Sequence, residues 1–120
     1  MKVVITAQQG SLDSAVDPRF GRCQYLLFVD TNTNTWEAVP NPALNETGGA
    51  GIAVAQYLAK EKVDALVTGN IGPNAARGLA ASGIPVYVGA EGTVSEALAA
   101  VKEGRLAQAS GPTVKPHSGI

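Results

Sequence analysis

Hydrophobic positions fall in short consecutive runs in the first part of the chain and at helical spacing in the second. Residues 2–7 (KVVITA) are apolar or β-branched at nearly every position, the pattern of a strand covered on both faces. Gln8-Gln9-Gly10 ends that run. Residues 11–22 (SLDSAVDPRFGR) are too polar, and too interrupted by Pro18 and Gly21, to form a regular element. Ordered connections of this length are more often functional than short ones. Residues 23–30 (CQYLLFVD) and 35–39 (TWEAV) read as a hairpin turned by Thr31-Asn32-Thr33-Asn34. Pro40-Asn41-Pro42 stops its second strand, because proline donates nothing to a ladder.

From residue 50 the period changes. Ile52, Ala55, Leu58 and Ala59 share one face of a helix predicted over roughly 50–61. Residues 63–68 (VDALVT) form a fourth strand, and GNIGP leads into a helix over 73–82, with Pro73 at its favoured first position and Gly83 at its stop. A fifth strand covers 84–88 (IPVYV). Thr93-Val94-Ser95-Glu96 is a capping box that opens a third helix, about 94–103, ended by Gly104. The remainder loses periodicity, so a strand fragment or extended arm at most is expected there, then a loose terminus. The sequence thus predicts one domain over 1–106 with a flexible tail over 107–120. An antiparallel meander followed by two βαβ units is an α/β fold. Its simplest form is a ribonuclease H-like three-layer arrangement, a five-stranded mixed sheet of order 3-2-1-4-5 with three helices.

Composition narrows the function. The 120 residues are 45% hydrophobic and 16% charged, too apolar for a disordered chain. A net charge of −1 supplies no bulk attraction for nucleic acid or an acidic membrane surface, so any anion site must be local. The lone Cys23 excludes an intrachain disulfide and a multi-cysteine metal cage. The early apolar run is too short for a signal peptide, and no run approaches the roughly 18 residues of a membrane span, so a cytoplasmic protein is expected. Walker, GxGxxG and GxSxG motifs are missing, and the first strand lacks the carboxylates of a metal-dependent nuclease. A non-enzymatic role is the expectation.

In the predicted topology strands one, three, four and five end on one edge, where open α/β sheets bind ligands. The loop after strand one, Gly48-Gly49-Ala50-Gly51, the run from Gly69 through Asn70, Gly72, Pro73 and Asn74, and the turn Gly89 to Thr93 all fall there. Helix amino termini carry unpaired N–H groups and partial positive charge. Arg19 and Arg22, around Phe20-Gly21, add two permanent charges, giving a candidate anion receptor. Plainer readings stand beside it. The glycines serve tight turns, the arginines pair with Asp13, Asp17 or Asp30, Cys23 is a core filler rather than a metal ligand, and His117 is solvated in the tail rather than a lone soft ligand.

Taken together, VDPRFGRC (16–23), NP with GGAG (41–51) and VTGNIGPNAARGLAASGIPVYVGAEGTVSEAL (67–98) resemble the dinitrogenase iron-molybdenum cofactor biosynthesis family over about residues 1–106. The bare single domain is similar to its stand-alone, orange-protein-like branch, whose namesake holds a molybdenum-copper sulfide cluster. The resemblance implies a ribonuclease H-like fold without nuclease chemistry and a metal-sulfur cluster, containing molybdenum with iron or copper, as the anion. Carried over by motif, it places Arg19, Gly21, Arg22 and Cys23, then Gly48, Gly49, Ala50 and Gly51, then Gly72, Pro73 and Asn74, around that cluster, held mainly noncovalently. Some relatives bind cofactor through a histidine in the body of the domain, where this chain has none. The expected role is a carrier or scaffold, with cluster donor or acceptor proteins as partners. The alternative is a regulatory module binding a phosphorylated metabolite or nucleotide at the same edge, and a third reading makes the edge a docking site for another subunit.

Overall fold

A computed structural model describes residues 1–46 and 48–113; the candidate ligand His117 lies outside the described residues. The elements are β1 (Lys2–Ala7), β2 (Tyr25–Asp30), β3 (Thr35–Pro40), α1 (Ala50–Lys60), β4 (Ala65–Val67), α2 (Pro73–Ala81), β5 (Val86–Val88), α3 (Val94–Lys102) and β6 (Ala107–Gln108). They form one mixed sheet of order β3-β2-β1-β4-β5-β6. Six strands replace the expected five. Tyr87 and Val88 on β5 pair with Gln108 and Ala107, and the Ala109 N–H donates to the Val86 carbonyl at 2.8 Å. This two-residue strand satisfies backbone groups that β5 would otherwise present as an open edge.

β1 sits centrally, antiparallel to β2 and parallel to β4, which in turn runs parallel to β5. Its consecutive apolar run is explained by cover on both faces: Val3, Val4, Ile5, Thr6 and Ala7 are all buried. Alternate side chains feed two cores. Val4, Leu26, Phe28, Leu66 and Val86 pack against Val54 and Leu58 of α1 and Leu79 of α2, while Val3, Ile5, Leu27 and Val67 pack against Val94 and Ala97 of α3. Each fully buried Leu or Val stabilises the fold by about 1.5–3 kcal/mol relative to exposure. Two helices therefore lie on one face and one on the other.

Small residues let α1 and α2 approach closely. A Cβ on Gly51 would lie 3.1 Å from that of Ala75, and one on Gly78 would lie 3.3 Å from that of Ala55. α3 begins with the capping box read from sequence: Thr93 Oγ1 accepts from the Glu96 N–H at 3.1 Å, and Glu96 Oε1 accepts from the Thr93 N–H at 2.9 Å. That second bond holds the Glu96 carboxyl below the usual carboxylate range. No helix among the described residues is long and apolar enough to cross a membrane.

Candidate functional site

The polar segment 16–23 folds back over the carboxyl ends of β1 and β4. The Asp17 N–H donates to the Thr6 carbonyl at 2.9 Å, and the Thr6 hydroxyl returns a bond to the Asp17 carbonyl at 2.7 Å. Farther along, the Asn70 N–H donates to the Pro18 carbonyl at 2.9 Å, and Arg19 pairs with Asn70 as an isolated parallel bridge. Backbone must come close here: a Cβ on Gly69 would lie 2.6 Å from Pro18 Cα. Phe20, fully buried, anchors the middle of the segment in the core.

Gly21 then meets the start of α1. A Cβ on it would lie 2.8 Å from the Gly51 nitrogen and 3.0 Å from Gly51 Cα, so only hydrogen fits. Since Gly51 also faces Ala75, the segment 17–23, the start of α1 and the start of α2 converge on one place. Arg22 ties them further, its Nη1 donating to the Glu46 carbonyl at 2.9 Å just before the glycine run. Asn41 braces the corner from below, its Nδ2 donating to the carbonyls of Gly21 at 3.1 Å and Cys23 at 2.8 Å. Its Oδ1 accepts from the Ala43 N–H at 2.8 Å.

Both helix starts keep unpaired amides among the described residues. Gly49, in the left-handed region at φ 72°, precedes α1, and Gly72 precedes α2 with Pro73 in its first turn. Among the described residues, neither start has a side-chain cap or an acidic residue in its first turn. No described residue accepts from the amides of Ala50, Gly51 and Ile52, or from those of Asn74 and Ala75. Such amides favour an anion in front of them.

The third helix start is different. The amides of Val94, Ser95 and Glu96 donate to the Ser14 carbonyl (2.8 Å), the Leu12 carbonyl (3.0 Å) and Thr93 Oγ1 (3.1 Å). α3 also packs on the other face of the sheet, so the expected contribution of 89–93 to an anion receptor is corrected: its donors are already used.

The structure therefore brings Arg19, Gly21, Arg22, Gly48, Gly49, Ala50, Gly51, Asn70, Gly72, Pro73 and Asn74 to neighbouring positions on one rim. Arg19 is half exposed and touches Asp17, with Nε 3.3 Å from Oδ1. A residue not expected at the rim, Arg77, donates from Nη2 to Asn74 Oδ1 and adds a third guanidinium beside the start of α2. An Asn and an Arg three apart on a helix is the available signal. Asn41 was also outside that site, although its place between two prolines marks it as a turn former.

Cys23 lies fully buried beneath the rim. Burial, aided by the negative charge of Asp17, pushes its thiol up to about 12. A thiol so raised stays protonated in the metal-free protein, and its sulfur is closed off from solvent. Among the described residues, no group of three or more His, Cys, Asp or Glu side chains is placed to hold a metal ion. The donor set suits a whole anion gripped by amides and guanidinium groups rather than a metal bound through side chains.

The profile of the dinitrogenase iron-molybdenum cofactor family matches residues 1–104. The chain belongs to that family. Among solved structures, the apo form of the orange protein from Desulfovibrio gigas superimposes with a TM-score of 0.90 at 40% identity, covering 94% of this chain and 96% of that one. A Thermotoga protein of the DUF35 family, solved by NMR, gives 0.78 at 37% identity over 89% and 91%. An uncharacterised protein of Methanocaldococcus jannaschii is 30% identical over 97 residues, 78% of this chain and 82% of its own length. The two solved structures thus cover most of this family member's length, and the Methanocaldococcus protein covers over three quarters of it.

Proposed function

We propose that this member of the iron-molybdenum cofactor family is a non-enzymatic carrier or scaffold for an anionic metal-sulfur cluster, bound as cargo at the rim. The observation that carries this reading is the meeting of two helix starts, uncapped and without first-turn acids among the described residues, beside the segments that carry Arg19, Arg22 and Arg77. A chain of net charge −1 that concentrates amide donors and guanidinium groups at one spot is suited to a compact polyanion, and thiometallates are such ions. The family and the orange-protein likeness favour a metal-sulfur cargo over other anions. Part of the same reading is that the sheet is a ribonuclease H-like scaffold whose strand-end chemistry has been replaced by anion capture. Molybdenum with iron or copper is the proposed metal content, donor and acceptor proteins are the proposed partners, and the cytoplasm is the proposed site of action.

Titration of the apoprotein with tetrathiomolybdate, with and without copper, tests it. A stoichiometric coloured complex is expected, weakened in Arg22→Ala and lost in Arg19→Ala, Arg22→Ala. Unchanged affinity in the double variant contradicts the proposal. Thermal stabilisation by nucleotides but not by thiometallate transfers the rim to the phosphorylated-ligand alternative.

A further inference from the structure

We infer that Asp17 sets how tightly the rim holds its cargo, acting as a fixed counter-charge to Arg19 that keeps the grip loose enough for release. This rests on the carrier reading above. Asp17 is 1% exposed, and its backbone is pinned at both ends to Thr6. One carboxylate oxygen, Oδ1, accepts from the Arg19 N–H at 3.1 Å and from Arg19 Nε at 3.3 Å. The other, Oδ2, is buried with no hydrogen-bond partner among the described residues.

A buried carboxylate oxygen left without a donor is costly, and the large majority of buried side-chain polar atoms have a partner. The two bonds that Asp17 does make could be accepted equally well by the neutral oxygen of an asparagine. What asparagine cannot supply is the charge. That charge stands two residues from Arg19, on the segment that joins the ends of β1 and β4 to the start of α1, and it also acts on Cys23 beneath the rim. It opposes the helix amides and guanidinium groups wherever an anion binds among them. A scaffold that only stores an anion gains from deleting such a charge, whereas one that must hand its cargo on gains from keeping it.

The test compares wild type with Asp17→Asn by tetrathiomolybdate titration and stopped-flow dissociation, with a thermal melt to verify folding. For an assumed separation of about 10 Å from a dianion, removing one unit charge predicts binding tighter by roughly fourfold at an effective dielectric constant of about 80 and roughly 250-fold at about 20, seen mainly as slower dissociation. Asp17→Ser, whose hydroxyl can still accept from the Arg19 amide, should tighten binding in the same direction. Folded variants that bind no tighter than wild type overturn the inference and leave the carrier reading standing. Variants that do not fold cooperatively also overturn it, since the charge then serves the fold. Binding by neither wild type nor variants overturns both.

Discussion

Replacing Gly21 with alanine probes the contact that joins the arginine segment to α1. The added methyl would sit 2.8 Å from the Gly51 nitrogen and 3.0 Å from Gly51 Cα, inside the roughly 3.5–4.0 Å of ordinary heavy-atom contact. Both atoms belong to backbone at the first turn of a helix, and Gly51 is itself closed in by Ala75, so no flexible side chain can give way. The segment must lift from the helix or the helix must shift against α2. Overpacking of this kind costs about 1–3 kcal/mol. For a domain of this size that corresponds to a fall in Tm of roughly 3–15 °C. The same displacement moves Arg22 away from the Glu46 carbonyl and the α1 amides, so tetrathiomolybdate affinity should fall as well. Gly48→Ala is the control, because nothing lies within 4 Å of its added Cβ. Calorimetry or a circular dichroism melt supplies the stability, and an absorbance titration supplies the affinity. A Gly21→Ala protein that melts and binds like wild type, or a Gly48→Ala protein equally damaged, would refute the close approach described here.

Three further outcomes follow from the geometry. Thr93→Ala should cost about 0.5–2 kcal/mol by removing the α3 cap, yet leave thiometallate binding unchanged because that helix start lies outside the rim; a melt and a titration separate the two effects. Cys23 should resist thiol reagents at pH 8 in the native protein and react promptly in urea. Its thiol rises from 9.0 to about 12 on folding, so the native state keeps a proton that the unfolded chain loses, and stability should fall between those values in wild type but not in Cys23→Ala, as alkaline urea titrations can check. Asn41→Ala removes hydrogen bonds to Gly21, Cys23 and Ala43 inside a buried corner, leaving their backbone groups unpaired, so a loss of about 2–4 kcal/mol is expected in denaturant titration.

Elements with strong local signals were legible in the sequence. The consecutive apolar positions of β1, the Thr93–Glu96 capping box and Pro73 at the head of α2 each encode their conformation within a few residues, and the order 3-2-1-4-5, the simplest arrangement for that connectivity, is present with β6 added at its edge. β6 was not legible as a full strand because two residues have no period to detect, and its pairing is decided by the open edge of β5. The same holds for the start of α3. Two of its donors are occupied by Ser14 and Leu12, at least 80 residues earlier, a contact that no local pattern announces. Within the candidate site the glycines and arginines were visible as residue types, while the burial of Cys23 and the half-satisfied carboxylate of Asp17 appear only when distant segments are packed together.

The most direct measurement of the central claim is an amide-resolved NMR titration of the intact protein with tetrathiomolybdate. The account predicts shifts confined to the backbone of 19–22, 48–52 and 70–77, with Val94, Ser95 and Glu96 unmoved because their N–H groups are already bonded within the fold. Shifts centred on α3, or spread without preference over both faces of the sheet, would contradict it.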